Sequence, residues 1–254
     1  ERASSPIVSG ILGAEGGHGI ASQGGAPVIR GDRGGVGGAG GGHRPQPEVS
    51  WREGVLNMVQ SPPANIDRRD LLPGLFPDHE EWLFISGLAG ASRDTASLTG
   101  DGAHLYSMAG TMGAAVPMGL GMALSAPDRK VAVITGDGEL LMGIGALVTI
   151  ASVQPQNLTV VCQDNSLHGE TGGQKGHTAE TANLEAIAQG AGIASTMTIS
   201  EPGQITNAAA FIAEAPGPRF LLTRILPTPP CDFKRDLDMA ACRVRFRQNF
   251  LASI

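Results

Sequence analysis

The sequence predicts an α/β fold, a parallel sheet flanked by helices on both faces. Two observations carry this. From Trp82 onward, short apolar runs rich in β-branched residues alternate with helical stretches. Those runs are continuously apolar rather than alternating, as expected of strands covered on both faces. A third observation gives the fold a direction: the polar and glycine-rich segments cluster just after the runs, where ligands sit in such sheets.

In chain order, Trp82–Ser86 reads as the first buried strand and Thr111–Ser125 as a small-residue helix. Lys130–Thr135 is a strand, Glu139–Val153 a helix and Asn157–Cys162 the next strand. A helix over Asn183–Gln189, a strand over Ala194–Ile199 and a helix over Ile205–Glu214 follow. Arg219–Ile225 is the last strand and Asp238–Leu251 a terminal helix. This domain spans 81–254. Residues 51–80 read as a transitional segment, with short helices over Trp51–Val59, stopped by Pro62-Pro63, and over Leu71–Phe76.

The first 50 residues differ in kind. They hold fifteen of the 37 glycines and no Phe, Trp or Tyr. Ordering glycine costs more backbone entropy than ordering other residues, and this stretch has little apolar surface to offset it. Residues 1–50 are therefore expected to be a disordered arm. The run Gly34–Gly42 lacks the GxxxxGK[ST] pattern of a phosphate loop. The chain opens on Glu1, which suggests a fragment or a processed product.

Composition narrows the function. The 254 residues carry 18 Lys+Arg and 24 Asp+Glu, a net charge of −6 that opposes non-specific nucleic-acid binding. The most apolar stretch, Thr111–Ala126, is interrupted by Gly113, Pro117, Gly119 and Gly121 and fits a buried helix better than a membrane span. The cysteines, Cys162, Cys231 and Cys242, form no CxxC pair and no disulfide framework, so a cytoplasmic enzyme is expected. Cys162, in a strand pattern, reads as an inert core thiol.

The chemistry concentrates in two places. Gly136-Asp137-Gly138 follows one strand, and Asp164-Asn165-Ser166-Leu167-His168-Gly169-Glu170 ends the next. Asp137 and Asn165 are 28 positions apart, with one helix and one strand between them. A right-handed β-α-β unit brings both to one sheet edge. A carboxylate, an amide oxygen and a nearby carbonyl suit Mg²⁺. The flanking glycines let backbone approach a phosphate, and the amides opening the next helix can donate to it. Simpler readings stand beside these: Asp137 as a helix cap, Asn165 as a turn residue, Met112 as helical core.

The spacing of GDG and Asn resembles the cofactor motif of thiamine-diphosphate enzymes. The chain from about residue 82 to 252 is similar to the pyrophosphate-binding domain of 2-oxo acid decarboxylases. The segments GTMG at 110–113, APDRK at 126–130, ALVTI at 146–150 and DNSLHGETGGQ at 164–174 resemble phosphonopyruvate decarboxylases and sulfopyruvate decarboxylase β subunits. This resemblance implies thiamine diphosphate and Mg²⁺ as cofactors. Asp137, Asn165 and the Leu167 carbonyl would ligate the metal. Gly136, Gly138 and Glu139 would hold the diphosphate by backbone. Met112 would sit under the bend of thiamine, and the Gly110 carbonyl would accept from the pyrimidine amino group. His168 is either a proton donor, a substrate contact or a solvated loop residue. Lys175 and His177 either attract an anionic substrate tail or belong to a mobile surface loop, and Glu170 is undecided.

Two departures matter. Glu139 stands where decarboxylases often carry Ser, so its side chain is expected to point away from the diphosphate or to meet a cation. Relatives also take an activating Glu from a pyrimidine-binding domain, which the resemblance assigns here to a second polypeptide in an oligomer. The implied activity is decarboxylation of 3-phosphonopyruvate or 3-sulfopyruvate, by a chain inactive without its partner. The alternatives are an acetolactate-synthase-like carboligase, a non-catalytic cofactor-binding module, or a generic Mg²⁺-phosphate domain.

Overall fold

The computed structural model describes residues 63–252; the readings placed on residues 1–62, the glycine-rich arm and the Trp51–Val59 helix among them, lie outside the described residues. Within this span the main sheet has six strands, all parallel, in the order β2-β1-β3-β4-β8-β7. They are β1 (Trp82–Ser86), β2 (Leu105–Ser107), β3 (Lys130–Gly136), β4 (Leu158–Asp164), β7 (Ser195–Ile199) and β8 (Arg219–Arg224). A two-stranded antiparallel hairpin, β5 (Leu167–His168) with β6 (Gln174–Lys175), stands apart. The helices are α1 (Arg68–Leu75), α2 (Ala89–Thr99), α3 (Ala115–Ser125), α4 (Asp137–Met142), α5 (Ala146–Val153), α6 (Leu184–Ala191), α7 (Ile205–Glu214) and α8 (Met239–Ala252).

Helices cover both faces, as the continuous apolar runs require. Leu83 and Ile85 of β1 face a core shared with α3, α5, α6 and Phe246 of α8. Trp82 and Phe84, on the other face of the same strand, join α1, α2 and α7. Residues of the transitional segment belong to this second core: Ile66, Leu71, Leu72, Leu75 and Phe76 are all buried in it, and Ile66 bridges in parallel to Ile225.

The strand order reverses direction at β1. The chain steps from β1 outward to β2, then returns to lay β3 on the other flank of β1. The gap beyond the carboxyl ends of β1 and β3 is thus a topological switch point, where open α/β sheets bind ligands.

Several expected elements change in detail, α1 among them, which runs over Arg68–Leu75 rather than Leu71–Phe76. α2 and β2 were absent from the sequence reading; α2 is rich in Ser, Thr, Gly and Ala and has little apolar periodicity. The helix expected from Thr111 begins only at Ala115, because Gly113 adopts φ +78°, outside the right-handed helical region. The helix expected over Glu139–Val153 is broken into α4 and α5 at Gly143–Gly145. A Cβ on Gly143 would lie 2.2 Å from the Gly113 carbonyl oxygen, so the break allows two backbone segments to touch.

Close packing makes one glycine testable. A Cβ on Gly119 of α3 would fall 2.0 Å from Cγ2 of Val133, a β-branched side chain in the middle of β3. Gly119→Ala should therefore destabilise the fold by about 1–3 kcal/mol in urea unfolding despite alanine's better helix propensity. Gly119→Ala with Val133→Ala should lose less than the sum of the single changes. An unmoved midpoint for Gly119→Ala would mean α3 does not press on β3 there.

Candidate functional site

A cleft of about 440 Å³ opens at the switch point. Gly136, Asp137, Gly138 and Glu139 line it from the β3–α4 junction, and Asn165, Leu167 and His168 from the segment after β4. Met112 joins them from the turn before α3. It is 40% exposed and lies outside both helix and core, so the reading of Met112 as helical core fails. Gly110 does not line the cleft. It lies behind Leu88, whose Cδ1 would be 3.6 Å from a Cβ placed there.

Asp137 opens α4 and is only 4% exposed. Its Oδ2 accepts a hydrogen bond from the Thr178 hydroxyl at 3.1 Å. The same hydroxyl lies 2.8 Å from Oδ1 of Asp164, which is also buried. One hydroxyl proton serves one carboxylate at a time. Asp164 has a cationic partner, the Arg224 guanidinium. Among the described residues no ion pair to Asp137 is formed. Burial, and then the charge of Asp164, push the Asp137 carboxyl up to about 6. An ionised Asp137 therefore calls for a cation.

The oxygen donors to hold one are adjacent. Asn165 Oδ1 accepts from the Leu167 amide at 3.0 Å, which pins the side chain within a tight turn where Ser166 has φ +59°. The β5–β6 hairpin then folds back, and a Cβ on Gly176 would lie 3.1 Å from Asp137 Oδ2. Among the described residues no three His, Cys, Asp or Glu side chains cluster to hold a metal. The set available is instead one carboxylate, one amide oxygen and backbone carbonyls, a hard-oxygen set that fits Mg²⁺.

Glu139 meets no cation among the described residues and turns instead to backbone. Its side chain is 4% exposed and crosses to the β1–α2 turn, where Oε2 accepts the Leu88 amide at 2.9 Å. A Cβ on Gly87 would lie 1.8 Å from that oxygen, so the glycine makes room for the carboxylate. Burial raises the Glu139 carboxyl above its ordinary value. Oε1 is buried with no hydrogen-bond partner.

Several cleft residues had no signal in the sequence reading. The first turn of α2, Ala89 to Ala91, lines the cleft and has no side-chain cap. Helix N-terminal amides are natural anion donors. Arg68 and Gln163 are buried and line the cleft, as does Thr228, whose hydroxyl has no partner among the described residues. Among the described residues, three polar atoms of the cleft-lining side chains are buried without a hydrogen-bond partner: the acceptor Glu139 Oε1 and the donors Gln163 Nε2 and Thr228 Oγ1. Such a lining fits a ligand with both a cationic or donor part and an oxyanion part, as thiamine diphosphate has. His168 packs over the backbone, 3.2 Å from where a Gly138 Cβ would be, and its ring lies 6.2 Å from that of His177. Lys175 and His177 are exposed and do not line the cleft, whereas Glu170 does. Cys162 is fully buried, and burial pushes its thiol well above the usual range, as an inert core thiol requires.

The Asp137 environment gives a pH-dependent expectation. In the ion-free protein an ionised Asp137 destabilises the fold, so Asp137→Asn should stabilise it by about 1–3 kcal/mol above pH 6. As pH falls through about 6 the folded protein takes up a proton before the unfolded chain does, so the advantage should vanish by about pH 4. Urea titrations of both proteins across pH 4–8 check this, and a pH-independent difference would contradict it.

The comparisons with known proteins agree with this geometry. The model of the thiamine pyrophosphate enzyme C-terminal TPP-binding domain matches residues 91–222. The chain is 48% identical to a sulfopyruvate decarboxylase subunit beta of Methanocaldococcus jannaschii, over 37% of this chain and 50% of that protein. It is 35% identical to a phosphonopyruvate decarboxylase of Streptomyces hygroscopicus, over 56% of this chain and 35% of that protein. The chain thus spans half or less of the length of these two relatives. Among solved structures, the thiamine diphosphate-dependent 4-hydroxybenzoylformate decarboxylase of Rhodococcus jostii RHA1 shares the fold, with a TM-score of 0.52 and 18% identity over 68% of this chain and 34% of that one. With its strand order, its GDG-to-Asn cleft and a family match over more than half its length, this chain belongs to the thiamine pyrophosphate enzymes and carries their C-terminal TPP-binding domain.

Proposed function

We propose that this chain is the thiamine-diphosphate- and Mg²⁺-binding part of a 2-oxo acid decarboxylase. Its substrate carries an anionic tail, as 3-sulfopyruvate and 3-phosphonopyruvate do. The observation that carries the reading is the buried Asp137, without an ion-pair partner among the described residues, lining one cleft with Asn165, Leu167 and the uncapped first turn of α2. The relatives named for sulfopyruvate and phosphonopyruvate decarboxylation support the substrate class.

When bound, the cofactor supplies a thiazolium that accepts the electron pair left as CO₂ departs. The chain's own residues do the rest. Asp137, Asn165 and the Leu167 carbonyl hold the Mg²⁺. The amides of Gly138 and Glu139 and of the α2 first turn donate to the diphosphate. Met112 offers an apolar surface at the cleft edge to orient the cofactor. Glu139, anchored on the Leu88 amide, holds the β1–α2 turn in register with the β3–α4 turn. His168, over Gly138, holds or delivers a proton at the cleft rim. The pyrimidine-binding domain and its activating Glu come from a second polypeptide. The relatives named as β subunits support that division.

Two measurements test this. Asp137→Ala should abolish Mg²⁺-dependent thiamine diphosphate binding in calorimetry, and unchanged affinity would remove the metal assignment. Mixing the chain with a candidate partner carrying the pyrimidine-binding domain should release CO₂ and an aldehyde from 3-sulfopyruvate or 3-phosphonopyruvate, with little from either chain alone. An acetohydroxy acid as product would instead identify a carboligase. Binding without turnover in any pairing would identify a non-catalytic module, and equal affinity for any diphosphate a generic phosphate domain.

A further inference from the structure

Gln163 is the penultimate residue of β4, paired in register with Gly136 of β3 on one side and Thr223 of β8 on the other. It is 2% exposed and lines the cleft. Its Oε1 accepts from Nη2 of Arg68 at 3.2 Å. Arg68 is itself buried and fixed, its Nε donating to Asp94 Oδ2 at 2.7 Å. Asp94 is held in turn by the Cys231 amide, 2.9 Å from Oδ1. The guanidinium occupies space that only a glycine leaves in the first turn of α2: a Cβ on Gly90 would lie 2.0 Å from Nη2.

This network settles which way round the Gln163 amide lies. A guanidinium has only donors, so the amide oxygen must face it and the NH₂ must face away. Nε2 is therefore a fixed donor on a cleft-lining residue, buried, with no acceptor among the described residues. The hydrogen bond from a charged guanidinium to Oε1 polarises the amide and strengthens that donor. Thr228 Oγ1, buried and without a partner, lines the same cleft. The adjacent first turn of α2 has no side-chain cap, and the Leu88 amide before it is already committed to Glu139. Donors from a strand, a loop and a helix N-terminus thus line one cleft, and the charge on Arg68 is neutralised by Asp94 behind them. A tetrahedral oxyanion, with several acceptor oxygens on one centre, matches this arrangement.

We propose that Gln163 is an oxyanion-binding residue, its Nε2 donating to a phosphoryl, phosphonate or sulfonate group seated against the first turn of α2, and that Arg68 is the positioning residue that sets the amide's direction. The proposal rests on the cofactor and substrate reading above only for the source of the oxyanion: the cofactor's diphosphate or the substrate's tail.

The test uses the full chain, purified with any polypeptide that accompanies it, as wild type, Gln163→Glu and Gln163→Met. Gln163→Glu keeps an acceptor for Arg68 and replaces the donor with a carboxylate oxygen; Gln163→Met removes the donor without adding charge. Calorimetry measures affinities for Mg²⁺-thiamine diphosphate, Mg²⁺-pyrophosphate, methylphosphonate and unphosphorylated thiamine. Both variants should lose about tenfold or more in affinity for an oxyanion ligand. Affinity for thiamine should be unchanged, a contrast that a merely structural role would not produce. Weakened binding of thiamine diphosphate and pyrophosphate supports the proposal with the cofactor as source; weakened binding of methylphosphonate alone supports it with the substrate as source. Loss of pyrophosphate affinity in a chain whose wild type binds no thiamine diphosphate would sustain the proposal while removing the cofactor reading. Wild-type affinity for every oxyanion in both variants, or wild-type protein that binds none of them, overturns it.

Discussion

Two carboxylates buried at the carboxyl ends of neighbouring strands govern this site. Asp164 at the end of β4 is neutralised by Arg224, whereas Asp137 at the start of α4 shares the Thr178 hydroxyl and has no cationic partner among the described residues. Removing an anion from water without a counter-charge is costly, and a second anion nearby adds to the cost. The fold keeps this arrangement at the crevice where its strand order turns, surrounded by oxygen atoms able to complete a cation's shell. Under the proposed metal role, stability given up by the ionised carboxylate would return as affinity for a divalent ion.

The rest of the cleft follows the same logic. Gly87 gives way to the Glu139 carboxylate and Gly90 to the Arg68 guanidinium, so two buried charges come to flank one turn of backbone between β1 and α2. Gly113 and Gly143 let the turn before α3 touch the break between α4 and α5, which places Met112 at the cleft and not in the core. Each glycine serves a contact that a side chain would block. Their concentration around the cleft reflects how many elements must meet there. Polar atoms left unpaired in its wall, Glu139 Oε1, Gln163 Nε2 and Thr228 Oγ1, mark where a ligand's own groups complete the hydrogen bonding.

Much of this was legible in order along the chain. β1 and α7 agree residue for residue with the sequence reading, because continuous Val, Ile, Leu and Phe runs and an apolar helical stripe leave little choice. Of the cofactor residues singled out in sequence, all except Gly110 line one cleft, since GDG and Asn lie at strand ends whose position a parallel sheet dictates. α2 was not legible: its small polar residues have no periodic apolar face, and its burial comes from what packs on it. Lys175 and His177 were left open in the sequence between tail-binding groups and a surface loop, and the structure leaves both exposed and outside the cleft lining.

What the sequence alone determined is therefore the class of fold, the strands whose ends line the cleft and the acid and amide that meet there. These depend on local patterns, apolar runs and the spacing of an acid and an amide across one β-α-β unit. The tertiary structure decided what surrounds them. Arg68 lies 95 positions from Gln163 and 26 from Asp94, and Thr178 lies 41 positions from Asp137. Such pairings depend on crossover direction and strand order, so no local pattern encodes them. They become visible only once the sheet has brought its carboxyl ends together.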